Sequence, residues 1–167
     1  MGTAVLISVE EYLATSYDPD REYVQGELRE RNLGEFDHSD LQTALAVFFR
    51  RHQKSLRLRA LVEQRVQVKP DRFRVPDVCL IPLDGPKEQI VRRPPVLAIE
   101  VLSPDDRIVD IEEKIDDYLA MGIPEIWTID PTKKRARIYT STATREARDG
   151  ILHWRDLAID LTLLSDE

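Results

Sequence analysis

Along the chain, hydrophobic and polar positions alternate with two different periods, and the changes between them mark the elements. "SVEEYLATSY" (8–17) opens with Ser8 and Glu11 spaced as a capping box, which predicts a short helix. "REYVQGELRERN" (21–32) alternates about Gln25-Gly26, the pattern of a hairpin with a tight turn. "DHSDLQTALAVFFRRHQKS" (37–55) carries an apolar stripe through Leu41, Ala44, Leu45 and Phe48, so a helix is expected there with Asp37 or Ser39 as its N-cap. "RALVEQRVQVK" (59–69) reads as one alternating strand ending at Pro70.

Next come two short runs, "VPDVCLIP" (75–82) and "PVLAIEVLS" (95–103), that are apolar on both faces, as are strands central to a covered sheet. "DIEEKIDDYLAMGIP" (110–124) is the clearest helix, with Asp110 and Glu113 as a capping box and Gly122 and Pro124 as the stop. "EIWTIDP" (125–131) is a further buried strand, and the tail from "RARIYTS" onward reads as additional strands. The order of elements predicts one domain over 1–167, an α/β fold with a single sheet flanked by helices, an N-terminal hairpin and a β-rich C-terminal tail.

Composition changes this picture little. A hydrophobic fraction of 42% in 167 residues suits a folded chain. The single cysteine, Cys79, lies in an apolar run and reads as a core residue in a reducing compartment. No leader or membrane-length apolar stretch is apparent, so a soluble cytoplasmic protein is expected. The net charge of −7 argues against a nonspecific nucleic-acid coat, yet Arg50 to Arg74 carries nine Lys/Arg against Glu63 and Asp71. That stretch reads either as a phosphate-tracking surface, with Arg92, Arg93 and Arg107 as additions, or as ordinary solvated helix and strand faces.

The position that demands chemistry is Glu100, a lone carboxylate inside "VLAIEVL". Burying it is costly unless it is paired, protonated or bound to a cation. Asp77 starts one apolar strand and Glu100 ends the next, so antiparallel pairing brings them to one end of the sheet. Two carboxylates in an apolar setting repel, and a divalent cation removes the conflict. With oxygen donors and the histidines scattered at 38, 52 and 153, Mg²⁺ or Mn²⁺ fits better than zinc. On a helical wheel Lys114 sits at the edge of the apolar stripe of its helix, where it either reaches toward the carboxylates or pairs with Asp110 or Asp117 on its own helix.

Taken together, "VPDVCLIP", "PPVLAIEVLSPDDR" and "DIEEKIDDYLAMGIPEIWTIDP" resemble the Uma family of restriction-endonuclease-like proteins within the PD-(D/E)XK nuclease superfamily. The resemblance is strongest from Val75 to Pro131 and extends upstream through "EYVQGELRE" and the His38 helix. It implies a restriction-endonuclease-like αβββαβ core and Mg²⁺-dependent hydrolysis of DNA phosphodiester bonds. It further implies Asp77 and Glu100 as metal ligands, with the backbone carbonyl of Val101 beside them, and a homodimer that cuts both strands. The sequence departs from the superfamily pattern at Leu102, where a lysine is expected; the resemblance gives that place to Lys114. Glu27 resembles an upstream acidic position, and His38 a histidine opening the first core helix. The competing expectation is a noncatalytic nucleic-acid-binding or assembly module that retains the fold.

Overall fold

The computed structural model describes residues 5–32 and 34–166; the first four residues of the stretch read as lacking a leader lie outside them. In chain order the elements are α1 (Val9–Ala14), β1 (Arg21–Val24), β2 (Glu27–Glu30), α2 (Phe36–Arg51), α3 (Gln53–Leu56), β3 (Leu58–Val62), β4 (Val66–Lys69) and β5 (Arg72–Arg74). They continue with β6 (Val78–Pro82), β7 (Leu97–Val101), α4 (Ile108–Met121), β8 (Ile126–Asp130), β9 (Arg135–Tyr139), β10 (Thr144–Ala147), β11 (Ile151–Trp154) and β12 (Leu157–Asp160).

The strands form three sheets where the sequence suggested one: a six-stranded sheet β10-β9-β8-β7-β6-β3, a four-stranded sheet β2-β1-β5-β4 and the β11-β12 pair. The cause is local. The stretch read as a single strand breaks at Glu63, whose backbone turns to φ 49°, and the chain leaves the large sheet to enter the small one. Within the large sheet β3, β6 and β7 run antiparallel, whereas β7 and β8 are parallel with α4 as the crossover between them. The sequence α2, β3, β6, β7, α4, β8 is the expected αβββαβ core.

Side-chain alternation along β7 divides the protein into layers. Leu97, Ile99 and Val101 pack with Leu41, Leu45 and Phe49 of α2 on one face. Ala98 packs with Ile115 and Tyr118 of α4 and with Val66 and Val68 of β4 on the other. Each such fully buried side chain contributes about 1.5–3 kcal/mol. On the α2 face, Phe49, Trp127 and Trp154 close the core with edge-on ring contacts, Trp127 and Trp154 lying 6.2 Å apart. The apolar residue that completes the α2 stripe is Phe49 rather than Phe48, which is only partly covered.

Ser8 caps α1 by accepting the Glu11 N–H, as its spacing predicted. The other two helix starts differ. Helix α2 begins at Phe36 after Glu35, ahead of Asp37 and Ser39, and α4 begins at Ile108 after Arg107, ahead of Asp110. Neither cap residue makes a side-chain cap bond, so the acidic residues lie inside the first turn, where the helix dipole favours them. At the β1–β2 turn Gln25 and Gly26 both have positive φ (49° and 96°), as a tight type I′ hairpin requires. Gly122 ends α4 in the left-handed conformation, φ 100°. No helix among the described residues is long and apolar enough to cross a membrane.

Candidate active site

The β6–β7 register pairs Val78 with Ile99, and one step further along this antiparallel ladder Asp77 comes opposite Glu100. Because Glu100 shares its strand face with Ala98, it points toward α4 and away from the apolar α2 layer. The lone carboxylate in the apolar run is therefore on the one side where polar groups await it. Asp77 and Glu100 are both buried and line a cavity of about 180 Å³ together with Glu22, His38, Val101 and Lys114.

Asp77 is held by three elements. Its Oδ2 accepts the Val101 N–H at 2.7 Å, clasping the end of β7, and its Oδ1 accepts from the Arg31 guanidinium at 2.9 Å. The His38 Nε2 lies 3.4 Å from Oδ2. That contact raises the His38 pKa against the opposing effect of burial, and the other ring nitrogen, Nδ1, is buried with no hydrogen-bond partner among the described residues.

Glu100 accepts a 2.6 Å bond from the Tyr118 hydroxyl on Oε1, and its Oε2 lies 3.5 Å from the Lys114 ammonium. Burial pushes its carboxyl up to about 7, with Asp77 and Glu22 adding to the effect against Lys114 and Tyr118. Lys114 shows the opposite balance: burial favours its neutral form, but Glu100, Glu22 and Asp77 outweigh it and raise its pKa. Of its two expected orientations, Lys114 takes the one into the pocket, with contacts to Glu22 and Glu100.

Of the five side chains predicted for the site, the structure brings together Asp77, Glu100, Lys114 and His38. Glu27 is not among them. It shares the sheet face of Glu22, but it sits at the turn end of the hairpin, is about half exposed and faces Arg29 at 3.8 Å. Glu22, three residues before Gln25, lines the pocket. Glu22, Arg31 and Arg74 were not read from the sequence. The signal available was an alternating, charge-rich hairpin, which shows that some charges face inward without saying which.

The basic run from Arg50 to Arg74 does not form one surface. Arg74 is fully buried against Asp117 and Glu22, Arg72 pairs with Asp117 at 2.9 Å, and Lys69 lies 3.4 Å from the same carboxylate. Arg57 pairs with Asp84, and Arg65 lies over the Tyr12 ring. Arg29, Arg31 and Arg107 also line the cavity, and Asn32 donates to Asp106 at 2.6 Å, joining the loop after β2 to the loop before α4.

Among the described residues no three His, Cys, Asp or Glu side chains form a closed metal cage. Asp77 and Glu100 do offer two hard oxygen ligands in one small pocket. That donor set fits Mg²⁺, which is held by one or two carboxylates and otherwise keeps water or substrate oxygens.

The αβββαβ core is that of the restriction-endonuclease-like fold, and it carries two acids at adjacent strand ends with a lysine beside them. The chain belongs to the Uma2 family, described as "Putative restriction endonuclease", whose model matches residues 9–160. It is also similar to a crystal structure of "a putative nuclease belonging to DUF820" from Anabaena variabilis. That match has a TM-score of 0.83 and 23% identity, and covers 96% of this chain and 98% of the other. At this identity the likeness bears on the fold. No curated protein matches the chain.

Proposed function

We propose that this protein is a Mg²⁺-dependent endonuclease that hydrolyses phosphodiester bonds in DNA, acting as a homodimer. The observation that carries this reading is the convergence of Asp77 and Glu100 in one pocket, with the Lys114 ammonium 3.5 Å from Glu100. Asp77 and Glu100 would hold the ion, with the Val101 carbonyl beside them, and Mn²⁺ suits the same donors. When bound, the ion supplies polarisation of the phosphoryl oxygen and acidification of water.

The chain's own residues do the rest. Tyr118 and Lys114 hold Glu100 in place from α4, and the Val101 N–H and Arg31 fix both oxygens of Asp77. Lys114 orients the attacking water and offsets charge building on the pentacoordinate phosphorus. His38, whose pKa the Asp77 carboxylate raises, would contact a phosphate or act in proton transfer. Arg29 and Arg107, which line the same pocket, would attract the phosphate backbone. A homodimer would set two such pockets against the two strands.

One observation favours a second reading, a noncatalytic nucleic-acid-binding module: Asp77 already has a fixed donor on each oxygen. Cleavage of supercoiled and branched DNA distinguishes the two. Wild type is expected to cut in Mg²⁺ or Mn²⁺ and to stop in excess chelator, and Asp77→Ala and Glu100→Ala are expected to be inactive. Equal cutting by all three proteins in chelator would overturn the assignment, and binding without cutting would support the module.

A further inference from the structure

We infer that Glu22 is the seat of Lys114 and not a metal ligand, and that Arg74 holds Glu22 in that role, so that the pocket takes a single divalent ion. This rests on the nuclease reading of the same pocket. Of the carboxylates lining it, Glu22 is buried like Asp77 and Glu100, and by proximity alone it would be expected to share or add an ion.

Its oxygens are spent elsewhere. Oε1 accepts the Val75 N–H at 3.0 Å and lies 3.3 Å from the Lys114 Nζ, while Oε2 accepts from Arg74 at 3.0 Å. Two of the three Glu22 partners are permanent cations, Arg74 and Lys114, whereas Asp77 has one in Arg31 and Glu100 has only the shared Lys114. Lys114, Arg74 and the Val75 N–H hold the Glu22 pKa down against its burial, the reverse of Glu100. Of the two carboxylates flanking Lys114, Glu22 has a second cation in Arg74, and Glu100 has the neutral Tyr118 hydroxyl.

The donors form a chain that starts and finishes on α4. Asp117 binds Arg74 with Oδ2, 2.8 Å from Nε and 2.7 Å from Nη2; Arg74 binds Glu22; Glu22 binds Lys114, one turn before Asp117 on the same helix. Arg74 comes from β5 and Glu22 from β1, so the small sheet grips α4 at two points one turn apart. The ammonium is thereby fixed in rotation as well as in height above Glu100. Glu22 and Arg74 are positioning residues in this scheme, acting through Lys114.

Two measurements on the full chain test it: trace acetylation of lysines read by mass spectrometry, and calorimetric titration with Mn²⁺. In wild type, Lys114 is expected to react slowly relative to exposed Lys87, and one Mn²⁺ to bind per chain. Glu22→Gln is expected to speed acetylation of Lys114 about tenfold relative to Lys87, as befits loss of one charge-assisted partner. It should leave the Mn²⁺ stoichiometry unchanged and lower kcat with little change in KM. Unchanged Lys114 reactivity in the folded variant, or loss of an Mn²⁺ site that wild type has, would overturn the inference. If Glu22→Gln does not fold, wild type decides by stoichiometry, with two ions per chain overturning the inference and one supporting it. If wild type takes up no Mn²⁺, the metal-dependent reading fails, while the acetylation comparison still judges the seat of Lys114.

Discussion

Tyr118 donates a 2.6 Å hydrogen bond from its hydroxyl to Oε1 of Glu100, joining the last turn of α4 to the end of β7. Both side chains are buried, so no water replaces the bond if it is lost. Tyr118→Phe keeps the ring and removes only the donor. It is expected to lower stability by about 1–3 kcal/mol, the cost of leaving a buried charged acceptor short of a partner. Urea unfolding measures it, and a loss below about 0.5 kcal/mol, the range of ordinary surface changes, would contradict the role given to this bond.

Lys114→Met keeps the aliphatic stem and deletes the charge. If Lys114 offsets transition-state charge, single-turnover cleavage should slow by about 10²–10³-fold, the usual effect of removing one such group. Mn²⁺ uptake should persist, since Asp77 and Glu100 remain. Wild-type cleavage by this variant would remove Lys114 from the chemistry.

Asp117→Asn removes one of the two buried counter-charges of Arg74, leaving Glu22, and is expected to cost about 1.5–3 kcal/mol, the worth of a hydrogen bond to a charged group. The neighbouring Asp116 is exposed, and Asp116→Asn should fall within about 0.5 kcal/mol of wild type. Parallel thermal and urea melts of the two variants separate a structural network from a general charge effect; similar melts would count against the network.

Burial pushes the Cys79 thiol up to about 12. A raised pKa means that the folded state holds its proton more tightly than the unfolded one. The thiol therefore costs nothing below about pH 8.5, where it is neutral in both states. Above that pH it withdraws stability, by about 1.4 kcal/mol per pH unit, until the folded pKa is reached. The stability of wild type relative to Cys79→Val should accordingly fall between pH 8.5 and 10. The native thiol should also resist alkylation at pH 8 until denaturant is added. A pH-independent difference between the two proteins, or rapid native alkylation, would refute this.

What could be read from the sequence was what depends on few elements. The meeting of Asp77 and Glu100 required only two apolar strands and the antiparallel rule, whereas the helical wheel of α4 left Lys114 two orientations and the family resemblance chose between them. Glu22 was hidden because its environment is made by β5, a three-residue strand too short to stand out, which pairs Tyr23 with Phe73 and Val24 with Arg72. Arg31 and Arg74 reach their partners 46 and 43 residues away, beyond any local pattern. The division into separate sheets turned on the positive φ at Glu63, a residue with no glycine or proline to announce a break. The basic run misled because composition counts cations without regard to direction, and Arg72 and Arg74 point inward to Asp117.

Arg74 grips Asp117 one turn from Lys114, so the ammonium is placed by contacts across sheets and not by its distance along the chain from Glu100. Those two residues are 14 positions apart, and the loop between β7 and α4 takes no part in that grip. Insertions or deletions in that loop would leave the centre intact wherever the helix stays docked. Genome searches keyed to a fixed acid-to-lysine spacing would pass over such chains, and a search pattern pairing the two strand acids with an Asp three residues after a helix Lys would retrieve them.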